Sequence, residues 1–264
     1  MRTAAAQLPE FARSDDKVFT TANAVVVLDG VSAFRAVPVA AALYAEHLGT
    51  ALRDQLLAHP AGDLRELLRA AIALVADTLN LSSGDAPSST VSVARADGDH
   101  VDALTLGDSP LVLPTDRLED RRVDELDLPE RKRYLAHLAA GSGYTEQHRQ
   151  LLQELQNRQA RWRNAEGGYW IAEADPEAAS RAITRRYPVA DNPWAILATD
   201  GAFDLITHLE TRAWSEIAEC GSAELHALLR WLHKWEAERD PHGQDLPRPK
   251  QHDDKTIAVV RWGS

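Results

Sequence analysis

The stretch "ILATDGAFDLI", residues 196–206, governs the fold prediction because an apolar run ends in Asp200 and Gly201 before a helical pattern begins. The apolar residues at 196–198 are typical of a buried strand, and those at 203, 205 and 206 keep the spacing of one helix face. Far upstream, "VVVLDG", residues 25–30, has the same form and ends in Asp29 and Gly30. We therefore interpret each stretch as a buried strand that delivers a carboxylate at its end.

The composition limits the class of protein. The chain has 264 residues, one cysteine and a formal net charge of −11, a length that fits one sizeable domain. No apolar run approaches the ~20 residues that span a bilayer, and the first residues contain no long apolar segment typical of a signal peptide. The acidic balance disfavours nucleic-acid binding, and the lone Cys220 suits a reducing compartment. We expect a cytoplasmic, monomeric protein with no membrane or nucleic-acid partner.

The order of the elements predicts the fold class. Strand-like runs occur at 3–8, 17–22, 24–30, 89–96, 101–106, 111–114, 193–201 and 255–262. Helical periodicity occurs at 37–58, 63–81, 147–164, 201–209, 212–218 and 223–239, and Asp63 is a plausible N-cap for the second helix. The charged segment 116–186 is predicted to be mostly helical. Strands that come in hairpins and helices that come in pairs favour a layered α+β fold over a doubly wound parallel sheet.

Four acidic turns are the candidate functional residues. Asp29, Asp108 and Asp200 follow apolar strands, and Asp253 and Asp254 precede the last strand. Each turn alone is common and is explained as a turn cap. If the four meet at one edge of the sheets, however, their charges repel one another unless a cation compensates them. Hard divalent ions such as Mg²⁺ or Mn²⁺ prefer oxygen ligands, so the combination predicts a site for such ions.

The order of the motifs resembles the metal-dependent Ser/Thr protein phosphatase family, type 2C, the PPM phosphatases. The resemblance covers about residues 4–262 and rests on "SDDKVF" (14–19), "VVVLDG" (25–30), "PSSTVSV" (87–93), "LTLGDSPLVL" (104–113), "ILATDGAFDLI" (196–206) and "DDKTIAVV" (253–260). It implies a four-layer αββα sandwich of two antiparallel sheets flanked by helices. It also implies a single domain over residues 1–264, with a variable flap-like helical segment at about 116–186.

The resemblance further implies a role for each matched residue. The implied activity is hydrolysis of phosphoserine or phosphothreonine by a water that bridges two Mg²⁺ or Mn²⁺ ions, with a possible third ion. Asp29 would bridge the two ions, Gly30 would offer its carbonyl to the second, and Asp200 and Asp253 would hold the first. Asp108 would help to hold the third ion, and Asp16 and Asp15 would lie in the outer shell. A phosphoprotein would be the substrate, within a Ser/Thr kinase system.

Three departures from the family pattern leave alternatives open. A bulkier "VSAFRAVP" (31–38) replaces the glycine-rich turn after Asp-Gly, and Asp254 replaces an asparagine, with modest consequences expected. Phe11 occupies the position of the phosphate-binding arginine. Arg13 or Arg35 would supply that cation, or both are solvated surface residues. The alternative functions are a catalytically weak regulatory module, or pseudophosphatase, and a phosphatase of a small phosphoester.

Two further groups of residues have alternative interpretations. The aromatic residues Trp162, Tyr169 and Trp170 would shape substrate access or fill a satellite core. His252 would touch the metal site or would be an ordinary loop histidine. No H-E-x-x-H motif and no paired cysteines occur, so the sequence predicts no zinc site.

Overall fold

The computed structural model describes residues 1–31 and 37–263. The strands are β1 (Arg2–Leu8), β2 (Lys17–Thr20), β3 (Ala24–Leu28), β4 (Val91–Asp97), β5 (His100–Leu106), β6 (Leu111–Val112), β7 (Arg117–Leu118), β8 (Ile183–Pro188), β9 (Trp194–Ala198) and β10 (Lys255–Arg261). Within the described ranges they form two five-stranded antiparallel sheets, ordered β1-β10-β9-β6-β7 and β2-β3-β4-β5-β8. The predicted α+β class is confirmed.

The helices lie on the outer faces of these sheets, except for the two between β7 and β8, which pack on each other. The helices are α1 (Ala41–Ala58), α2 (Leu64–Thr78), α3 (Pro129–Ala139), α4 (Glu146–Gln159), α5 (Asp200–Leu209), α6 (Trp214–Ile217) and α7 (Ser222–Glu238), with a 3₁₀ helix at Pro176–Arg181. The predicted N-cap is present, because the Asp63 carboxylate accepts hydrogen bonds from the first-turn amides of α2. Within the described ranges, none of these helices has both the length and the apolar character that a membrane crossing requires.

The strand β3 is buried on both faces, which explains its unbroken apolar sequence. Val25 and Val27 belong to the core between the two sheets, whereas Val26 and Leu28 pack in the core formed with α1 and α2. Successive side chains of a strand point to opposite faces. A strand covered on both sides therefore reads as a continuous apolar run rather than as an alternating one.

The second sheet repeats this arrangement. In β9, Leu197 faces the core between the sheets and Ile196 faces the core with α5 and α7. In β10, Val260 likewise faces the core between the sheets and Val259 faces the core with α5 and α7. Helices, sheet, sheet and helices therefore form the predicted four-layer sandwich. Burying each Val, Leu or Ile side chain contributes about 1.5–3 kcal/mol, so the strand ends are firmly placed.

The segment between β6 and β9 is less helical than predicted. It begins with β7 and ends with β8, and both are strands of the main sheets. The charged sequence of β8 suggested helix, but Tyr187 packs in the core between the sheets and Arg186 pairs across the sheet with Asp97 and Asp102, each at 2.9 Å. These tertiary contacts determine the strand.

Between those strands, α3 and α4 share a small core of their own. Its buried members are Leu128, Tyr134, Leu138, Leu152 and Leu155. Trp162 packs against this satellite core, whereas Trp170 packs against the core of α1 and α2. The aromatic residues of this segment therefore serve two separate cores rather than one aromatic cluster.

Candidate metal centre

Hydrogen bonds to the backbone hold Asp29 at the end of β3. Its amide donates to Oγ1 of Thr90 at 3.1 Å, and its carbonyl accepts from the Thr90 amide and the Ser89 hydroxyl, each at 2.9 Å. The Thr90 hydroxyl also bonds to that of Ser109 at 2.6 Å. The "SST" and "GDS" motifs therefore position Asp29, which explains why short hydroxyl residues recur in both.

The position of Asp200 is set by the junction of β9 with α5. Asp200 is the first residue of the helix, after the N-cap residue Thr199, where a carboxylate is stabilised by the helix dipole. Gly201 packs against the loop before β10, since a Cβ there would lie 2.2 Å from the carbonyl oxygen of Asp254. In this Asp-Gly pair, the aspartate supplies a carboxylate and the glycine leaves space for the loop before β10.

The acidic pair before β2 is tied to the same junction. Oδ2 of Asp16 accepts a hydrogen bond from the Thr199 hydroxyl at 2.8 Å. Oδ2 of Asp254 accepts from the Ser14 hydroxyl at 3.0 Å and from the Asp15 amide at 2.5 Å. The aspartate in place of the family's asparagine therefore holds the turn that carries the acidic pair.

Gly30 also allows a close approach of two segments. A Cβ at this position would lie 2.8 Å from the carbonyl oxygen of Asp15 and 3.1 Å from that of Ala41. The end of β3, the acidic turn and the start of α1 therefore meet at Gly30, and a side chain would separate them.

Five of the sequence-predicted residues line one cavity of about 570 Å³: Asp29, Gly30, Asp108, Asp200 and Asp253. Asp15 and Asp16 are not among the described residues that line it, although the charge of Asp16 acts on Asp29. Asp124 and Asp204 also line the cavity and were not predicted. Asp204 follows Asp200 by four positions on α5, and this helical spacing was the available signal.

The cavity carboxyl groups have perturbed acidities. Burial raises the pKa of Asp29 well above its usual range, and the charges of Asp16, Asp200 and Asp253 raise it further. Burial and the charge of Asp253 also raise the pKa of Asp200, whose carboxyl group is hydrogen-bonded to that of Asp29. Without a bound cation, repulsion thus leads these two neighbouring groups to share a proton.

Two further acids, one in the cavity and one near it, show the same effect. Burial, followed by the charges of Asp200 and Asp124, raises the pKa of Asp108 to about 8. Burial raises the pKa of Asp16 well above its usual range, although a hydrogen bond from Thr199 opposes the shift. The cluster as a whole is therefore short of positive charge.

Lys250 provides positive charge at this cluster and was missed by the sequence analysis. Its Nζ lies 2.7 Å from Oδ1 of Asp253. The charges of Asp253, Asp29 and Asp200 outweigh partial burial and raise its pKa. The only signal was its spacing of three residues from Asp253 in "PKQHDD", which is common for surface ion pairs.

The residues present fit a pair of hard divalent cations. The acidic cavity residues offer oxygen ligands, the class that Mg²⁺ and Mn²⁺ prefer. Oδ1 of Asp16 is buried without a hydrogen-bond partner among the described residues. Lys250 already supplies one positive charge where the acids repel. An unsatisfied oxygen and a resident ammonium group both indicate that this site favours cations.

The proposed phosphate-binding arginines and His252 lie elsewhere. The side chain of Arg13 is exposed and is not among the described residues that line the cavity. Arg35 lies outside the described residues. Phe11 is half-exposed and packs edge-to-face on Phe19, with Lys17 over its ring. Nδ1 of His252 is 3.0 Å from Glu236, and His252 is not among the described residues that line the cavity.

Comparison with known proteins gives a clear result only for solved structures. No protein-family model matches the chain, and no curated protein matches it. A bacterial serine phosphatase is similar at a TM-score of 0.58 with 13% identity, covering 100% of this chain and 98% of that one. The PPM Ser-Thr phosphatase MsPP from Mycobacterium smegmatis, in complex with cacodylate, has a TM-score of 0.54 with 15% identity, covering 100% and 99%.

A third similar structure was determined with metal ions. It is the catalytic domain of the serine threonine protein phosphatase PstP in complex with two manganese ions, with a TM-score of 0.52 and 15% identity over 98% of this chain and 97% of that one. Similarity at these identities reports on architecture, and it extends over the whole length of both chains. The chain has the fold of the PPM Ser/Thr phosphatases.

Proposed function

We propose that this protein is a metal-dependent phosphatase that hydrolyses phosphoserine or phosphothreonine. The observation that carries the proposal is the convergence of Asp29, Asp200 and Asp253 on one cavity, with the pKa values of the first two raised. Acids from three separated segments are costly to gather unless a bound cation repays that cost. PstP, which shares the fold, was crystallised with two manganese ions.

In this proposal the predicted ligands hold two Mg²⁺ or Mn²⁺ ions. Asp29 would be a ligand of both ions, the Gly30 carbonyl would bind the second ion, and Asp200 and Asp253 would hold the first. Asp108 would help to hold a third ion, and Asp16 and Asp15 would belong to the outer shell. Such an ion pair lowers the pKa of bound water and stabilises an in-line displacement at phosphorus.

The chain's own residues orient the substrate and enclose it. With cations bound among the carboxylates, Lys250 would turn from Asp253 toward the substrate phosphate. Arg131 and Arg248 also line the cavity, but they are bonded to Asp124 and to Asp240 respectively and so hold the surrounding loops. Lysine binds phosphate as a point charge, which would compensate for Phe11 at the arginine position.

The cavity wall opposite the carboxylates comes from the segment at 116–186. Leu152 and Leu155 of α4, together with Tyr169 and Ile171, make that wall apolar. This arrangement supports the proposal that the segment is a flap of a single domain spanning 1–264. An apolar wall facing a polar centre suits a phosphorylated side chain whose carbon stem packs against the flap.

We propose a phosphoprotein as the substrate, within a Ser/Thr kinase system. Support comes from the fold neighbours. One of them is PppA, a key regulatory component of the T6SS in Pseudomonas aeruginosa, with a TM-score of 0.53 and 18% identity.

The proposal is tested by phosphate release from a phosphothreonine peptide with Mn²⁺, with and without a chelator. We expect turnover that the chelator abolishes and that Asp29→Asn and Asp200→Asn each reduce by at least about a thousandfold, as for loss of an essential catalytic group. Asp191→Asn, a change of an exposed carboxylate, is the matched control and should retain full activity. Full activity in either cavity variant contradicts the proposal.

The ion pair between Lys250 and Asp253 favours a second candidate, a regulatory module of the same fold with weak catalysis. In that case a resident lysine takes the place of one ion. Mn²⁺ titration by calorimetry, run beside the hydrolysis assay, separates the candidates. Binding without turnover of either the peptide or p-nitrophenyl phosphate supports the module. Turnover of p-nitrophenyl phosphate alone points to a small phosphoester.

A further inference from the structure

A second group of ligand-type side chains lies beside the carboxylate centre, on α7 and the loop before β10. Nδ1 of His252 is 3.0 Å from Oε2 of Glu236, and Nδ1 of His233 is 3.9 Å from the same oxygen. One atom from each of the three residues lies within 4.8 Å of the other two. Two imidazole nitrogens and a carboxylate oxygen therefore face a common point.

The helix and the loop each fix part of this group. His233 and Glu236 are three residues apart on α7, which places them on one helix face. The rings of His233 and His252 lie with their centroids 4.1 Å apart. The histidine side chains are 46% and 31% exposed, whereas that of Glu236 is 1% exposed. The cluster thus has a rigid buried base and is open to solvent on the histidine side.

The buried base lies between two buried basic side chains. Oε2 of Glu236 accepts a hydrogen bond from Nζ of Lys255 at 2.8 Å, and Lys255 is fully buried. Oε1 has no hydrogen-bond partner among the described residues, and Nε of Arg248 lies 3.5 Å away. A carboxylate accepts about four hydrogen bonds or equivalent contacts, so Glu236 retains electron pairs for a further ligand.

We propose that His233, Glu236 and His252 form a binding site for a borderline divalent transition-metal ion of the zinc and copper class. Its ligands differ from Asp29, Asp200 and Asp253, although Glu236 lines the same cavity as these carboxylates. Imidazole nitrogens select such ions, whereas all-oxygen sites select Mg²⁺ and Mn²⁺. Two nitrogens and one oxygen at about 2.0–2.2 Å leave an open position for water. His252 is already close to Glu236, whereas the exposed His233 side chain would move closer to it.

The sequence analysis predicted no zinc site because only two of the three proposed ligands are close together in the sequence. The H-x-x-E spacing on α7 is short and common, and the third ligand lies beyond a long loop. The fold brings His252 to the helix by pairing β10 with β1 and β9.

The two sites share a structural element. His252 precedes Asp253, and Lys255 donates from one ammonium group both to Glu236 and to the Asp253 carbonyl oxygen, each at 2.8 Å. An ion bound by His252 therefore restrains the loop that carries Asp253. This gives the second site a route to regulate the first.

Electron paramagnetic resonance of Cu²⁺ tests the assignment directly, because nitrogen ligands split the signal and oxygen ligands do not. One equivalent of Cu²⁺ added to the metal-stripped protein should give the pattern of two imidazole nitrogens. His233→Ala and His252→Ala should each remove at least one nitrogen coupling. His226→Ala, on the same helix outside the cluster, should keep both. An oxygen-only signal in the wild type, or an unchanged pattern in His233→Ala, overturns the proposal.

Zinc-dependent thermal unfolding provides a second readout that does not depend on catalysis. An ion that binds the folded state raises Tm, and the rise grows with the logarithm of its affinity. We expect Zn²⁺ to raise the Tm of the metal-stripped wild type more than that of His233→Ala. Because His233 is on the helix surface, this variant should fold, which circular dichroism verifies. Equal shifts in the two proteins would contradict the site.

Discussion

The ammonium nitrogen of Lys250 lies 2.7 Å from Oδ1 of Asp253, at the edge of the carboxylate cavity. The charges of Asp29 and Asp200 also raise the pKa of this lysine. The lysine therefore neutralises part of the carboxylate charge, and a cation at the proposed site would compete with it.

Lys250→Ala should bind Mn²⁺ more tightly than the wild type does. Lys250 is 43% exposed, so solvent screens its ion pair with Asp253 and the interaction free energy is about 0.2–1 kcal/mol. Removing it should lower the Kd by a factor of about 1.4 to 5, measured by calorimetry. Lys234→Ala, which removes an exposed helix lysine paired with Glu238, should leave the Kd unchanged. Weaker binding in Lys250→Ala would show that the lysine does not compete with the ion.

Asp200→Asn should make the metal-free protein more stable while it removes metal binding. Burial and the charge of Asp253 disfavour the Asp200 carboxylate, and a neutral amide of the same shape avoids that cost. Functional groups of this kind commonly cost about 0.5–2 kcal/mol of stability, and each kcal/mol corresponds to about 2–4 °C in Tm. Calorimetric scans in chelator should show the rise, with Asp191→Asn as the unchanged control. A lower Tm for Asp200→Asn would contradict the idea that the cluster is strained without cations.

The layers of the fold were predictable because the decisive strands are buried on both faces. A run such as "AVVVL" in β3 is apolar throughout and does not alternate with polar residues, and the Asp-Gly pair marks its end. The helix bounds were less predictable. Helix α2 ends at Thr78 rather than at Leu81 because Asn80 adopts a positive φ of 50°, and asparagine tolerates that conformation at helix ends.

The residues that the sequence analysis missed depend on contacts between distant segments. β8 becomes a strand through Tyr187 and the cross-strand pairs of Arg186, and no local pattern shows these partners. Lys250 becomes part of the cavity because its loop folds back toward β3 and β9. Strand tips were identified from sequence because strand and turn are local features. The counter-charges that surround them were not, because they are tertiary features.

The stability of the metal-free protein should fall as pH rises from about 5 to 8. The folded protein keeps a proton on Asp108 up to its pKa of about 8, whereas the unfolded chain releases it near about pH 4. The folded state thus binds more protons in this window, and the free energy of unfolding decreases with pH. Thermal unfolding in chelator at a series of pH values checks the slope.

Two comparisons make this pH dependence specific. Asp108→Asn should make the fall in Tm shallower, because one of the groups that retain a proton is gone. Saturating Mn²⁺ should also flatten or reverse it, since the bound cation favours the ionised carboxylates. A wild-type Tm in chelator that rises steadily from pH 5 to 8 would contradict the cause assigned to it.

Gly201→Ala should damage the site more than its small size suggests. The added Cβ would lie 2.2 Å from the carbonyl oxygen of Asp254, so α5 and the loop before β10 must separate. Overpacking of this kind costs about 1–3 kcal/mol, and it shifts Asp200 away from Asp253. We expect a lower Tm and a loss of Mn²⁺ affinity by calorimetry. Gly221→Ala is the control, because its Cβ would meet only a flexible Glu224 oxygen at 3.7 Å.

Leu138→Ala should loosen the proposed flap without unfolding the sandwich. Leu138 is fully buried, but its neighbours belong to the satellite core of α3 and α4. The loss of about 2–5 kcal/mol should therefore lower the free energy of local opening rather than that of global unfolding. Hydrogen exchange should accelerate at amides in 129–159 and stay unchanged in β3, β9 and β10. Leu229→Ala, equally buried in the core of α5 and α7, should accelerate exchange throughout the protein. If Leu138→Ala did the same, residues 116–186 would be a cooperative part of the main fold, and the flap assignment would be wrong.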